Sequence, residues 1–219
     1  MIILDQHVED TSSDLSHYLR SQLHAVSTSR TVTWHSDDIA EAVVSFCETH
    51  HRGNSLSFRY VSLLTSRVLL HVGDPRAALR LLEKEFDDGC IARACVDIVA
   101  REKCSPVFMM CVASGLLRPA RLDTIGEEAT WVLDLRHAGF SPTNSTELHV
   151  MAMLGRFVQV AAELWNDRRG RGWLGVGGIR ESGIRIAPGE LIHSIESCLA
   201  AEQARRDWLT CPRVLDLGD

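Results

Sequence analysis

Apolar positions recur along this chain at spacings of three and four, and they almost never alternate. The pattern predicts a succession of amphipathic helices. The first spans 13–26, capped by Ser12 or Ser13, with Leu15, Tyr18, Leu19, Leu23 and Val26 on one face. Residues 27–35 read as a linker or short strand, after which Ser36 caps a helix over 37–52 with Asp37 and Asp38 in its first turn. A helix over 56–72 ends at Gly73. The junction Gly73-Asp74-Pro75 supplies a left-handed stop, an N-cap and a first helical proline in order. Helix 75–86 buries Ala78, Leu79, Leu82 and Phe86, and helix 90–102 buries Ile91, Ala94, Cys95 and Ile98. Ser105-Pro106 opens a helix over 106–117. Thr124 and Glu127 stand at capping-box spacing for another that stops at Gly139.

The segment from Glu147 to Trp165 is the most apolar. Its polar residues His149, Arg156, Gln159 and Glu163 fall on one narrow strip of a helix, which predicts neighbours around most of its circumference. A basic loop, Asn166 to Gly172, follows. Residues 173–184 contain Gly175, Gly177, Gly178 and Gly183, each unfavourable in a helix by about 1 kcal/mol relative to Ala, so propensity favours a loop or hairpin there. A last helix, 189–206, carries Leu191, Ile192, Ile195 and Leu199 inward, and 207–219 reads as a loosely ordered tail. The fold class expected from this pattern is all-α, a bundle of roughly six to nine helices around the central helix 146–166.

Composition narrows the function classes. A net charge of −6 over 219 residues disfavours non-specific binding to nucleic acid or anionic membrane. Arginine outnumbers lysine 21 to two, which reads as coding bias more than recognition. The seven cysteines (Cys47, Cys90, Cys95, Cys104, Cys111, Cys198 and Cys211) are odd in number and lack a CxxC pair. Reduced thiols in a cytosolic or nuclear protein fit better than a disulfide framework or zinc site. The acidic start, with Asp5, Glu9, Asp10 and Asp14 before Arg20, is neither a secretory signal nor a transit peptide, and no apolar run reaches membrane-spanning length.

Catalytic signatures are missing. There is no GxSxG elbow, P-loop, HExxH or EF-hand loop. His50-His51 would point about 100° apart on a helix and read as a solvated helix end rather than metal ligands. Gly175-Val176-Gly177-Gly178 resembles a phosphate-cradling loop. A dinucleotide fingerprint, however, needs a preceding strand, and the pattern places a helix there. No enzyme activity, cofactor or metal is expected. The segment 168–185 holds five Arg against Glu181 alone, and reads either as a solvated connector or as a site for phosphate or an acidic partner. Gly73 to Leu79 resembles one turn of a helical-repeat hairpin, though a solenoid needs at least three repeats.

The helix order resembles that of the poxvirus Bcl-2-like immune-evasion proteins. Ala152 to Gly155 with Val160 and Leu164-Trp165 is similar to that family's central helix, Gly177 to Glu181 to its sixth helix and Glu190 to Ile195 to its seventh. Arg76 to Asp88 and Asp38 to Phe46 are similar to the second and first. The resemblance covers about half the chain. It implies three parts: an N-terminal extension over 1–35 with one helix, a Bcl-2-like bundle over 36–206 with an enlarged 104–145 region, and the 207–219 tail. Leu133 to Gly139 resembles a BH3 segment, with Phe140 where its acidic residue belongs, and Gly170 to Trp173 stands where a BH1 core would be.

The implied function is a non-enzymatic viral inhibitor of host innate signalling, towards NF-κB or interferon induction. It would act in the host cytoplasm, with the nucleus as a second compartment, by binding an adaptor or kinase complex. Two alternatives stand beside it: an anti-apoptotic protein binding BH3 helices, and a helical-repeat adaptor or scaffold. The family's shared first-and-sixth-helix face implies a working surface of Asp38, Glu41 and Glu48 on helix 37–52 with Arg171, Trp173, Arg180 and Arg185. Opposite charges on the two patches would suit a homodimer. The alternative is that these charges are solvated and Trp173 is core. Nucleic acid and a membrane span are not among the expected partners.

Overall fold

The computed structural model describes residues 8–9, 12–26, 30–50, 55–86, 88–100, 104–120, 130–140 and 146–218. The chain divides into two compact units, Leu4–Ala113 and, with Met1–Ile3, Ser114–Asp219.

The first unit is helical and largely as its hydrophobic periodicity predicts. Helix α1, Ser12–Val26, packs on α2, Arg30–His50. Leu15, Leu19, Leu23 and Val26 are buried from α1, and Ile39, Ala40, Val43, Val44 and Cys47 from α2. Helix α2 begins within the expected 27–35 linker, so Ser36 is a buried helical residue and not a cap. Strands β1, Val8–Glu9, and β2, Ser55–Leu56, form a short antiparallel pair.

Helices α3, Phe58–His71, and α4, Pro75–Glu85, form a tight hairpin. Gly73, at φ +85°, takes the left-handed position, and the Gly73 and Asp74 N–H groups donate back to Leu70 O and Leu69 O, capping α3's last carbonyls. Asp74 Oδ1 then accepts from the Ala77 N–H at 2.9 Å, and Pro75 takes the first turn of α4. Helices α5, Gly89–Val99, and α6, Pro106–Ala113, close the unit against α3, with the Arg67 guanidinium donating to Cys104 O at 2.7 Å. The Tyr18 hydroxyl donates to Glu85 Oε1 at 3.2 Å and joins α1 to α4.

The second unit overturns the all-α expectation. Its centre is a four-stranded mixed sheet in the order β3-β4-β5-β6: β3 Leu117–Pro119, β4 Thr130–Asp134, β5 Trp173–Gly177 and β6 Arg213–Asp216. β3 runs antiparallel to β4, and β4, β5 and β6 are mutually parallel, Thr130 pairing with Trp173 and Trp173 with Arg213. Helix α7, Glu147–Ala161, continues as a 3-10 segment, Ala162–Arg168, and crosses from β4 to β5. Helix α8, Pro188–Arg206, crosses from β5 to β6. The two helices pack on each other, so both crossovers lie on one face of the sheet.

Four expectations fail here, each for a stated reason. The helix expected to end near Ala138 is instead β4 followed by a 3-10 turn, Leu135–His137, with Asp134 accepting from the Arg136 N–H; Thr124 and Glu127 lie outside the described residues. The proposed sixth helix, 173–184, is strand β5 and a turn; glycine propensity argued against a helix but favoured a loop or hairpin, not a strand paired in parallel on both sides. The helix from 106 stops at Ala113, where Gly115, at φ +79°, turns the chain into β3. Finally, α7 is not a bundle's central helix. It buries Val150, Leu154, Val158 and Ala161 on one side only, while Leu148 is 82% exposed. The Bcl-2-like bundle is therefore not this chain's fold, and the supposed tail contributes β6. No helix among the described residues is long and apolar enough to cross a membrane.

The two sides of α7 should respond differently to truncation. Leu154→Ala is expected to cost about 2–5 kcal/mol and Leu148→Ala under about 0.5 kcal/mol. Urea denaturation followed by the fluorescence of Trp131, Trp165, Trp173 and Trp208 checks this, and equal losses would contradict the one-sided packing.

Candidate functional site

The carboxyl ends of parallel strands leave their last peptide groups without a ladder partner, and in open α/β sheets ligands gather there. Asp134 ends β4, Gly177 ends β5 and Asp216 ends β6. Asp134 is held deep in this edge with its side chain 2% exposed, and its N–H donates to Leu116 O at 2.8 Å. A buried carboxylate must be paired. Oδ1 accepts from Arg136 Nε at 2.9 Å and Oδ2 from Arg136 Nη2 at 2.6 Å, a bidentate grip. Arg118, from β3, donates its Nε to Oδ2 at 3.4 Å. Arg136 Nε also lies 3.4 Å from Glu181 Oε2, which ties the turn after β5 to the same cluster.

That turn explains the glycines. Gly178 sits at φ +67°, and a Cβ there would lie 2.5 Å from Arg136 Cγ and 2.9 Å from Asp134 Oδ1. Gly175 is in the strand, where Leu217 folds over the space a side chain would fill. The turn is closed by Ser182, whose N–H donates to Gly178 O at 3.0 Å and whose hydroxyl donates to Ile179 O at 2.6 Å. The strand that a phosphate-binding glycine loop requires is present. The room at Gly175 and Gly178 is nevertheless taken up by the protein's own Leu217, Arg136 and Asp134.

Burial alone would raise the Asp134 pKa, but hydrogen bonds and charge from Arg136 outweigh it and hold the carboxyl below its ordinary range. The Arg136 guanidinium is correspondingly raised. Both guanidiniums keep an outward half: the Arg118 side chain is 45% exposed and that of Arg136 49%. The edge therefore presents two oriented cations, fixed from beneath.

The residues of the surface expected from sequence are drawn from both units. Asp38, Glu41 and Glu48 are exposed on α2 in the first unit, with Asp38 Oδ2 3.2 Å from His35 Nδ1. Arg171, Arg180 and Arg185 are exposed in the second unit. The arginines are not carried by the expected sixth helix, since 173–184 is strand β5 and a turn. Trp173 is half-buried at the start of β5, with the Arg213 guanidinium 5.1 Å from its ring centroid, so it is neither core nor an open anchor. Arg180 and Arg185 flank the Glu181 turn. Arg118, Asp134 and Arg136 were not singled out from sequence. A lone Asp closing an apolar run, followed two residues later by Arg, was the available signal.

Elsewhere the chemistry is structural. The His50 ring stacks on Phe46 at 4.2 Å, and its Nδ1 lies 3.1 Å from Phe46 O. No group of three or more metal-ligating side chains occurs among the described residues. Cys47, Cys95, Cys104 and Cys111 are buried, and burial pushes Cys47 up to about 11 and Cys95 up to about 12. No family model, curated protein or solved structure matches the chain.

Two variants test the edge. Asp134→Asn removes the buried charge beneath two guanidiniums and is expected to cost about 1.5–3 kcal/mol, the worth of hydrogen bonds to a charged group. Because the folded pKa of Asp134 is depressed, its contribution is present above the unfolded value of about 3.9 and fades as pH falls through the folded pKa. Wild type and Asp134→Asn should thus converge in stability on acidification, as read by denaturant titration at several pH values. A constant gap would refute the pairing. Gly178→Ala forces a Cβ into Arg136 at a positive φ and should cost more than about 1 kcal/mol.

Proposed function

We propose that this chain acts by binding another protein, docking an acidic segment of its partner on the carboxyl edge of β4, β5 and β6. One observation carries the reading: Arg118 and Arg136 converge on the buried carboxylate of Asp134 while their outer halves face solvent. A guanidinium has five donors in a rigid fork, and pinning one side of it lowers the ordering cost of using the other. Arg185 is exposed in the loop that follows the Glu181 turn and adds to the same sign of charge. Because the Asp134 carboxylate lies buried beneath them, the exposed sides of Arg118 and Arg136 are what a negatively charged docking segment would meet.

Turnover is not the reading this site supports. The Asp134 carboxylate accepts from two arginines and a backbone N–H, which makes it a poor proton acceptor for a substrate. The resemblance to poxvirus Bcl-2-like proteins implied binding in the service of immune evasion. That purpose was tied to a helical bundle that this chain does not form, so the proposal is confined to protein binding.

Fluorescence anisotropy with a ten-residue oligo-glutamate peptide tests it. Binding is expected at low salt, weakened at least fivefold by Arg118→Ala with Arg136→Ala, and weakened further by raising ionic strength. Absence of binding by the wild-type chain, or binding indifferent to both substitutions, would reject the docking edge.

A further inference from the structure

The Glu181 carboxylate reaches a guanidinium of the arginine edge, with Oε2 3.4 Å from Arg136 Nε. It differs from the carboxylate beneath. Asp134 is buried and grips Arg136 at 2.9 and 2.6 Å, whereas the Glu181 side chain is 53% exposed and stands at the longer distance. Asp134 therefore suffices to orient Arg136. The turn that carries Glu181 has supports besides this contact. Ile179 is buried, the Ser182 hydroxyl donates to Ile179 O at 2.6 Å, and the Ile184 N–H donates to Ser182 Oγ at 3.3 Å. Gly178 and Gly183, at φ +67° and +74°, bracket the turn. The fold thus fixes a negative charge beside Arg136 on a side chain that has solvent to rotate into.

We propose that Glu181 is an internal competitor for the docking edge: its carboxylate occupies Arg136 until an acidic segment of the partner displaces it. The inference rests on the docking reading above and concerns its regulation. A single exposed carboxylate is held weakly. An incoming acidic segment meets Arg118 and Arg136 together, so it gives up one weak pair for contacts to two guanidiniums. The contact lowers the apparent affinity of every acidic ligand by the fraction of molecules in which Glu181 covers Arg136. If Glu181 were instead a strut for Arg136, its loss would weaken binding, so the sign of the effect separates the two roles.

Fluorescence anisotropy with the ten-residue oligo-glutamate peptide tests this on the full chain, comparing wild type with Glu181→Gln and Asp216→Asn. Asp216 ends β6, two strands or about 10 Å from β4, and its Oδ1 accepts from the Gly218 N–H. Its replacement removes one negative charge from the same edge and controls for net charge. Glu181→Gln is expected to tighten binding about threefold, and Asp216→Asn to leave it within about 1.5-fold. Binding by wild type that Glu181→Gln leaves unchanged or weakens overturns the proposal and leaves the docking edge standing. Equal tightening by both variants is an effect of net charge and also overturns it. Absence of binding by wild type and Glu181→Gln alike rejects the docking edge and this inference with it. The Arg136 Nε–H resonance of the peptide-free chain reports the contact separately. It is expected to move in Glu181→Gln and to stay in Asp216→Asn, and a resonance unmoved by Glu181→Gln overturns the proposal whatever the peptide does.

Discussion

The parallel pairing of β4, β5 and β6 is the constraint on which the second unit depends. Each strand is only four or five residues long, and each finds its partner across an intervening helix. Such strands bring little stability singly, since loop closure must be offset before their contacts form. They hold because α7 and α8 cover one face together and because β4 and β5 are buried nearly throughout, from Trp131 to Asp134 and from Leu174 to Gly177. Glycine at 175 lets Leu217 close over the sheet, so the residue just after β6 helps to cover β5.

Asp134 links that architecture to the carboxyl edge of the sheet. It is the last residue of β4, it is buried, and its charge is balanced by arginines from β3 and from the turn that follows it. The same ion pairs hold the Glu181 turn after β5 in place and require glycine at 178. A buried charge kept in this way is a modest source of net stability, but it orients its partners firmly. On this edge, orientation is what the proposed docking relies on, because the outer halves of Arg118 and Arg136 are what the proposed partner would meet.

The helical unit draws on different physics. Its contacts are between helices close in sequence, so capping and periodicity carry most of the specification. The α3–α4 hairpin shows this most clearly: Gly73, Asp74 and Pro75 each perform the local task their side chains suit, and the buried faces follow. The buried thiols here behave as small apolar side chains, with burial disfavouring the reactive thiolate.

The sequence by itself determined most of the helices of Leu4–Ala113, though not the start of α2 or the end of α6, together with the presence of a helix over Glu147–Ala161 and of the 188–206 helix. Each depends on a local repeat near 3.6 residues and on caps a few residues away. It did not determine the sheet. Thr-Trp-Val-Leu-Asp and Trp-Leu-Gly-Val-Gly are short apolar runs buried on both faces, so they show no alternation to distinguish strand from helix. The apolar abundance around α7 was read as a helix enclosed by others, and the exposed Leu148 and Ala152 show why that fails: an apolar residue need not be buried. Only the tertiary structure decided that Asp134, Arg118, Arg136 and Glu181 share a site, because they come from separate segments joined by non-local strand pairing. No spacing along the chain encodes that meeting. The paired strands bring these charges together, and burial of Asp134 then compels the arginines to stay.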